Sequence, residues 1–236
     1  MFKIHSFESL AALDGPGIRF AIFFHGCPLR CAYCHNPETW YCDSEYTLSE
    51  EELFNKIKRY VPYFGKNGGV KFSGGEPLLY AKELCPFMDR LQTENIHIAL
   101  DTAGSIMNED VKELLKKKPL VLLDIKMPDK ERYDSYIGGS LTDTLLFLDY
   151  ADKYGCDIWI RYVVVPTIND SIEDIDKIIK YVKDKPNVKK LTLLPYHTLG
   201  VGKYEKLQLE YRLKDIEVPS KEKMTQLEDY VKVHFR

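Results

Sequence analysis

No apolar run in this sequence approaches the ~20 residues that a membrane-spanning helix requires. Surplus charge is lacking too, since 33 Lys and Arg stand against 36 Asp and Glu, a formal net charge of −3. A nucleic-acid reader wants a basic stripe, whereas these lysines interleave with acids on helix-like stretches, as on solvated faces. Neither a Ser/Gly linker nor a low-complexity tract nor a short repeat divides the chain, so one domain over residues 1–236 is expected. No leader of the secretory kind is expected, because Met1 to Glu8 already alternates as a strand does. A cytoplasmic protein is the expectation. Cysteine is scarce, six residues in all. In a reducing compartment these are not three disulfides, and where they crowd together the reading is metal or catalysis.

What is present is a core and a rhythm. Apolar residues make up 44% of the chain. Runs at residues 20–25, 70–73, 96–100, 120–125, 158–165 and 191–194 predict strands. Several are continuous rather than alternating, as in parallel strands buried on both faces. Helical patterns lie between them. Ser49 followed by Glu50, Glu51 and Glu52 looks like a capping box opening a helix toward Tyr60. Ile172, Ile175, Ile178, Ile179 and Val182 mark one helical face behind a cap-like Asn169-Asp170-Ser171. The alternation predicts an α/β fold of right-handed βαβ units with a parallel sheet. Six units are too few for a closed eight-stranded barrel. The expected architecture is a partial (β/α)6 barrel with its site at the C-terminal ends of the strands. An N-terminal strand and loop would cover 1–19, the barrel 20–200, and a tail 201–236 whose last helix, begun near Ser220, packs over the barrel's open side.

Cys27, Cys31 and Cys34 follow directly on the first barrel strand, in the loop where α/β folds place their chemistry. Thiolates are soft ligands that select iron–sulfur clusters, zinc or copper. Three are close and no fourth is evident. Three thiolates on a four-iron cube leave one iron open to an outside ligand, while a zinc site completed by His35 or His25 is the competing reading of the spacing. Cys42, Cys85 and Cys156 read as small buried hydrophobes.

The surrounding residues carry a resemblance. The triplet with Tyr33 before its third cysteine, and Ser73-Gly74-Gly75-Glu76-Pro77 after the second strand, resemble the two signatures of the radical S-adenosylmethionine (SAM) superfamily. Backbone without Cβ at Gly74 and Gly75 can approach a ligand closely. Four further stretches begin at Asp14, Cys34, Trp159 and Leu193, and are similar to the activating enzymes of glycyl-radical enzymes. The chain passes from Cys34 to Ser49 without the ferredoxin-like insert of many such activases, which favours the pyruvate formate-lyase type.

That resemblance implies a 4Fe–4S cluster on Cys27, Cys31 and Cys34, with SAM chelated to its open iron. A low-potential donor such as flavodoxin or ferredoxin would reduce the cluster. Cleavage of SAM to methionine and a 5′-deoxyadenosyl radical would then take hydrogen from a glycine Cα of pyruvate formate-lyase. A monomer without nucleic-acid or membrane partners is expected. The resemblance gives Gly74 and Gly75 the methionine amino group, with Glu76 orienting their loop. Tyr33, Cys34 and His35 would line the adenine and the cluster, His197 would sit on the adenosine side, and Asp14 with His35 would meet the substrate peptide. A tight turn is the plain alternative for Gly74-Gly75-Glu76 and for Asp14.

Asp101-Thr102 and Asp124-Ile125-Lys126 end two strands, so both carboxylates should enter one mouth. Two acids beside a bound carboxylate repel unless a cation lies between them. A monovalent or divalent cation on Asp101, Thr102 and Asp124 is therefore one expectation. Pairing of one acid with Lys126, the other capping a helix, is its equal. Ile125 and Lys126 fall on the cofactor side. Lys126 and Arg161 are candidates to touch cofactor or substrate, and Arg161, within a buried-looking strand, needs a charge partner.

Overall fold

A computed structural model describes residues 1–12, 15–42 and 45–235. Six parallel strands form the body of the sheet: β2 (Arg19–Phe24), β4 (Gly69–Gly74), β5 (His97–Thr102), β6 (Leu120–Asp124), β7 (Ile158–Val164) and β8 (Val188–Pro195). They stand side by side in chain order, each on one of the predicted runs. Before them β1 (Phe2–Ala11) pairs antiparallel with β2, and a two-residue β3 (Thr47–Leu48) pairs antiparallel with β1. Among the described residues β3 and β8 are the two edges, so the barrel stays open.

The outer helices are α1 (Glu50–Lys58), α2 (Ala81–Thr93), α3 (Glu109–Leu115), α4 (Lys130–Ile137), α5 (Leu141–Lys153), α6 (Ile172–Val182), α7 (Val201–Lys206) and α8 (Lys221–His234). Their starts follow from local chemistry. Ser49 and Glu52 close a full capping box on α1, and Ser171 with Asp174 do so on α6. Alternation then sorts the strands. On β7, Ile158, Ile160, Tyr162 and Val164 are buried outward against helices, while Trp159, Arg161 and Val163 face the half-open interior. The aromatic core begins at Phe2 and runs through Phe24 and Phe72 to Phe87, with ring centroids 5.8, 6.0 and 6.1 Å apart in succession.

Two expectations are corrected. The terminal helix does not cover the open side. α8, capped by Ser220, buries Met224, Leu227 and Val231 against β8 and α6. An amphipathic helix goes where the unburied apolar face of an edge strand lies, here the outward Leu191 and Leu193. It is α7 that reaches toward the cysteine loop, packing on residues 37–39. Of the three remaining cysteines only Cys156 is buried; Cys85 is half-buried and Cys42 exposed.

Candidate active site

A cavity of about 530 Å³ opens at the C-terminal ends of the strands and gathers nearly all the residues singled out above. Cys27, Cys31 and Cys34 line it from the loop after β2. That loop is pinned from several sides. The N–H groups of Arg30 and Ala32 donate to Ile137 and Tyr136 carbonyls, and Cys34 N–H donates to Cys31 O at 3.0 Å. Tyr204, on α7, donates its hydroxyl to Cys34 O at 3.1 Å, and Tyr33 donates to Lys126 O at 3.0 Å. Burial above all pushes the Cys27 and Cys31 thiols up to about 12 and raises Cys34; Glu76 and the neighbouring thiols add to it at Cys27, and Cys34 and Asp124 at Cys31. As free thiols they are inert; ligation to a metal is what would make thiolates of them. Three sulfurs are a soft donor set of the kind that holds an iron–sulfur cluster or a soft metal ion.

The turn after β4 faces these sulfurs. Gly74 has φ +110°, and a Cβ there would lie 2.2 Å from Phe24 N, while one on Gly75 would lie 2.1 Å from Gly26 O. Gly75 N–H donates to Phe24 O and Glu76 N–H to Gly26 O, so the turn is stitched to the cysteine loop. Glu76 is buried and accepts from Leu78 N, Thr102 Oγ1, Ala103 N and Ser105 Oγ at 3.2, 2.6, 3.1 and 3.3 Å. Burial raises its pKa, opposed by these donors and the Lys126 charge. It orients the turn by tying it to the end of β5.

Deeper in the barrel Arg161 lies between the two aspartates. Its Nη2 bonds Asp101 Oδ1, and its Nε donates to Asp124 Oδ1 at 2.7 Å. Lys126 Nζ reaches Asp124 Oδ2 at 3.0 Å, Lys71 Nζ reaches Asp101 Oδ2 at 3.3 Å, and Ser73 Oγ donates to that same oxygen at 3.0 Å. Burial works to raise Asp101, but the Arg161 and Lys71 charges prevail and hold it well below the usual carboxylate range. Lys126 is likewise raised despite burial, chiefly by Asp124 and Cys31. Both carboxylates thus enter one mouth, and the positive charge set between them is a guanidinium. Thr102 does not join them. It alternates with Asp101 along β5, and its hydroxyl is committed to Glu76 and Gly104 N.

His35 and His197 meet edge to face with centroids 4.6 Å apart at the cavity rim. Burial and His197 lower the His35 pKa. Ile125 is wholly buried and faces away from the cavity, contributing backbone through its N–H to Arg161 O at 3.1 Å. Asp14 lies outside the described residues. Lys71 and Tyr204 were missed, and Ser73 was named only as part of its motif. Lys71 sits in an apolar strand run where nothing local marks it, and Tyr204 comes from a helix without a motif.

The radical SAM superfamily model matches residues 21–182. A pyruvate formate-lyase-activating enzyme of Clostridium pasteurianum is 48% identical over 98% of this chain and 98% of that one. The chain belongs to the radical SAM superfamily, among the pyruvate formate-lyase-activating enzymes. One of Staphylococcus epidermidis is 38% identical over 97% of this chain and 94% of its own. A solved domain of such an enzyme from Bacteroides vulgatus superposes with TM-score 0.56 and 26% identity, covering 69% of this chain and 94% of that one. A structure described as native anSMEcpe with bound AdoMet gives TM-score 0.57 at 25% identity, covering 72% of this chain and 48% of that one.

Membership in a radical SAM family implies a 4Fe–4S cluster and SAM. The residues present fit both. Three soft sulfur donors and no fourth line one wall. Next to them runs a glycine turn in which a Cβ on Gly74 would collide with Phe24 of β2 and one on Gly75 with Gly26 of the cysteine loop.

Proposed function

We propose that this activating enzyme holds its cluster on Cys27, Cys31 and Cys34 and acts on a glycine of pyruvate formate-lyase. The observation that carries the reading is the convergence, in one strand-end cavity, of the three sulfurs, the Gly74-Gly75 turn and the Asp101–Arg161–Asp124–Lys126 array. When bound, the cluster and SAM supply the reductive cleavage that releases a hydrogen-abstracting 5′-deoxyadenosyl radical.

The chain's own residues bind and orient. Gly75 spends its N–H on Phe24 O of β2 and Glu76 its N–H on Gly26 O of the cysteine loop, so the turn offers carbonyl oxygen, which is what the ammonium of an amino acid needs. Arg161 and Lys126 are the cations for its carboxylate, held in place by the aspartates. Tyr33, His35 and His197 form the aromatic wall for adenosine. In this reading the incoming peptide is met by His35, and by Asp14, which lies outside the described residues. The chain works as one domain and a monomer in the cytoplasm, taking its electron from a flavodoxin or ferredoxin; among the described residues no helix is long and apolar enough to cross a membrane.

The deciding experiment mixes the reconstituted, reduced protein with SAM and pyruvate formate-lyase without oxygen. A glycyl-radical spectrum on the lyase is the expected result. SAM cleavage without that radical would remove the lyase as partner, and no cleavage at all would remove the chemistry.

A further inference from the structure

We propose that the outer side of the cysteine loop, marked by Arg30, Trp40, Tyr41, Tyr136 and Arg212, is the docking face for an acidic one-electron carrier protein that reduces the cluster. The inference rests on the reading that Cys27, Cys31 and Cys34 hold that cluster, and it goes further by giving the electron an entrance of its own.

None of the five residues lines the strand-end cavity. They sit behind it, on the cysteine loop, the stretch that follows it, and the end of α4 to which the loop is stitched. Arg30 N–H donates to Ile137 O at 2.8 Å and Ala32 N–H to Tyr136 O at 2.7 Å. Arg30 and Arg212 are exposed, and Tyr41 keeps 55% of its surface in water. The Arg30 guanidinium carbon stands 5.1 Å from the Trp40 ring centroid and 5.2 Å from that of Tyr41. The Arg212 carbon stands 5.8 Å from the Tyr136 centroid. A guanidinium stacked on a ring keeps N–H groups at its edge for a further partner.

Those groups have no anion. Arg90, Arg132 and Arg161 each meet a carboxylate. Among the described residues Arg30 and Arg212 meet none. Arg30 donates to the Cys27 and Leu29 carbonyls, and Arg212 to that of Ser135. In a chain of net charge −3, two such cations beside exposed aromatic surface are a local reversal of sign. Arg, Trp and Tyr are also the side chains on which interfaces concentrate their energy. A basic patch steers an acidic partner into place, and transient redox encounters need little area.

Chemistry selects the occupant. One electron has to leave a carrier and enter the cluster, and such transfer falls steeply with distance, so the carrier must come close to a cluster cysteine. Arg30 holds Cys27 O at 2.7 Å, and Cys27 N–H donates to Trp40 O at 3.2 Å. The patch therefore touches a cluster residue directly. The other approach to the sulfurs runs through the cavity, which the substrate glycine needs. A carrier on the outer face leaves that mouth free. It is a small acidic flavin or iron–sulfur protein, oxidised by one electron as the cluster is reduced by one.

The test compares reconstituted wild type with Arg212→Glu, Tyr41→Glu and a control reversal at the end of α3, Lys116→Glu. Each is mixed with reduced flavodoxin at low and at high salt, and freeze-quenched electron paramagnetic resonance gives the rate of cluster reduction. Iron content reports the loaded site. A parallel series uses dithionite, followed by SAM cleavage and the glycyl radical on the lyase. Arg212→Glu and Tyr41→Glu should accept flavodoxin's electron ~10-fold more slowly at low salt, the gap closing at high salt. Lys116→Glu should follow wild type, and dithionite should serve all four alike. Wild-type rates in Arg212→Glu and Tyr41→Glu would overturn the proposal, as would wild type that flavodoxin cannot reduce. Equal slowing by Lys116→Glu would reduce the effect to net charge, and equal slowing with dithionite would reduce it to structure; either sinks the docking face. Dithionite-reduced variants that cleave SAM but fail to activate the lyase would hand the face to the lyase instead. Wild type that takes the electron yet leaves SAM intact would sink the reading of the cavity, and this inference with it, by a failure seen in the cleavage assay and not in the reduction rates.

Discussion

Glu76 shows what a single buried acid does here. Its two oxygens accept from two backbone N–H groups and two hydroxyls, and no cation touches it. Glu76→Gln keeps the shape but turns an NH2 toward donors, leaving at least one buried donor unmet. Such a loss costs roughly 1–3 kcal/mol, so the melting temperature of the cluster-free protein should drop by several degrees. An unchanged melt would mean that the turn is held by its backbone alone. Gly75→Ala acts by volume. Its Cβ would sit 2.1 Å from Gly26 O, backbone that cannot swing aside. The cysteine loop must shift, and the variant should keep less iron after reconstitution and gel filtration and also melt below wild type. Full iron retention would show that the loop tolerates the displacement.

At the level of elements, Arg132 is the largest joint outside the cavity. From α4 it bonds Asp129 at the start of its own helix, Asp174 in the first turn of α6, and Ile168 O in the loop between β7 and α6. One fork therefore fixes two of the loops that leave the strand ends, including the one that follows Lys126. Lysine cannot reproduce a three-way planar fork. Arg132→Lys should lower the melting temperature more than Ser171→Ala, which removes one cap worth ~1 kcal/mol. Differential scanning calorimetry of the two variants decides the order. This scale also shows what the residues disclose and what they hide. The N-terminal strand, the six parallel strands, α1 and α6 were legible because period and caps are local signals, whereas the two-residue β3 is too short to carry a period. That the three cysteines and both aspartates line one cavity was legible because chemistry gathers at strand ends, and the glycine turn beside them because it resembles a family signature. The pairing of an acid with Lys126 was legible too, for Asp124 lies two positions before it; the partners of Arg161 were not, since Arg161 and Asp101 are 60 positions apart and meet only when β5, β6 and β7 align. The same gap between sequence and space left the charge between the aspartates unassigned to Arg161 and sent α8 to the wrong side.

The whole molecule has two ends, and only one carries the chemistry. At the opposite end Arg19, fully buried at the start of β2, donates to Val70 O at 3.2 Å and Asn67 O at 3.3 Å, and meets His97 Nδ1 at 3.1 Å. Against a guanidinium that nitrogen must be the acceptor, which requires a neutral ring. Burial first, and Arg19 next, lower the His97 pKa, while Asp157 opposes them. The sign follows from linkage. A histidine whose folded pKa lies below its unfolded value takes up its proton more readily on unfolding. Its stabilising share is full above the unfolded pKa of ~6.5 and is lost as the pH falls toward the folded one. His5 and His35 are lowered in the same direction, chiefly by burial, so the three act together. The cluster-free protein should therefore lose stability between pH 7 and pH 5, before carboxylate protonation takes over. His97→Gln keeps an acceptor for Arg19 but cannot titrate. It should flatten that part of the urea-midpoint profile while leaving the profile still sloping from His5 and His35. A His97→Gln profile parallel to wild type would show that the closed end of the barrel opens too little on acidification to matter, and would place the acid sensitivity at the catalytic end.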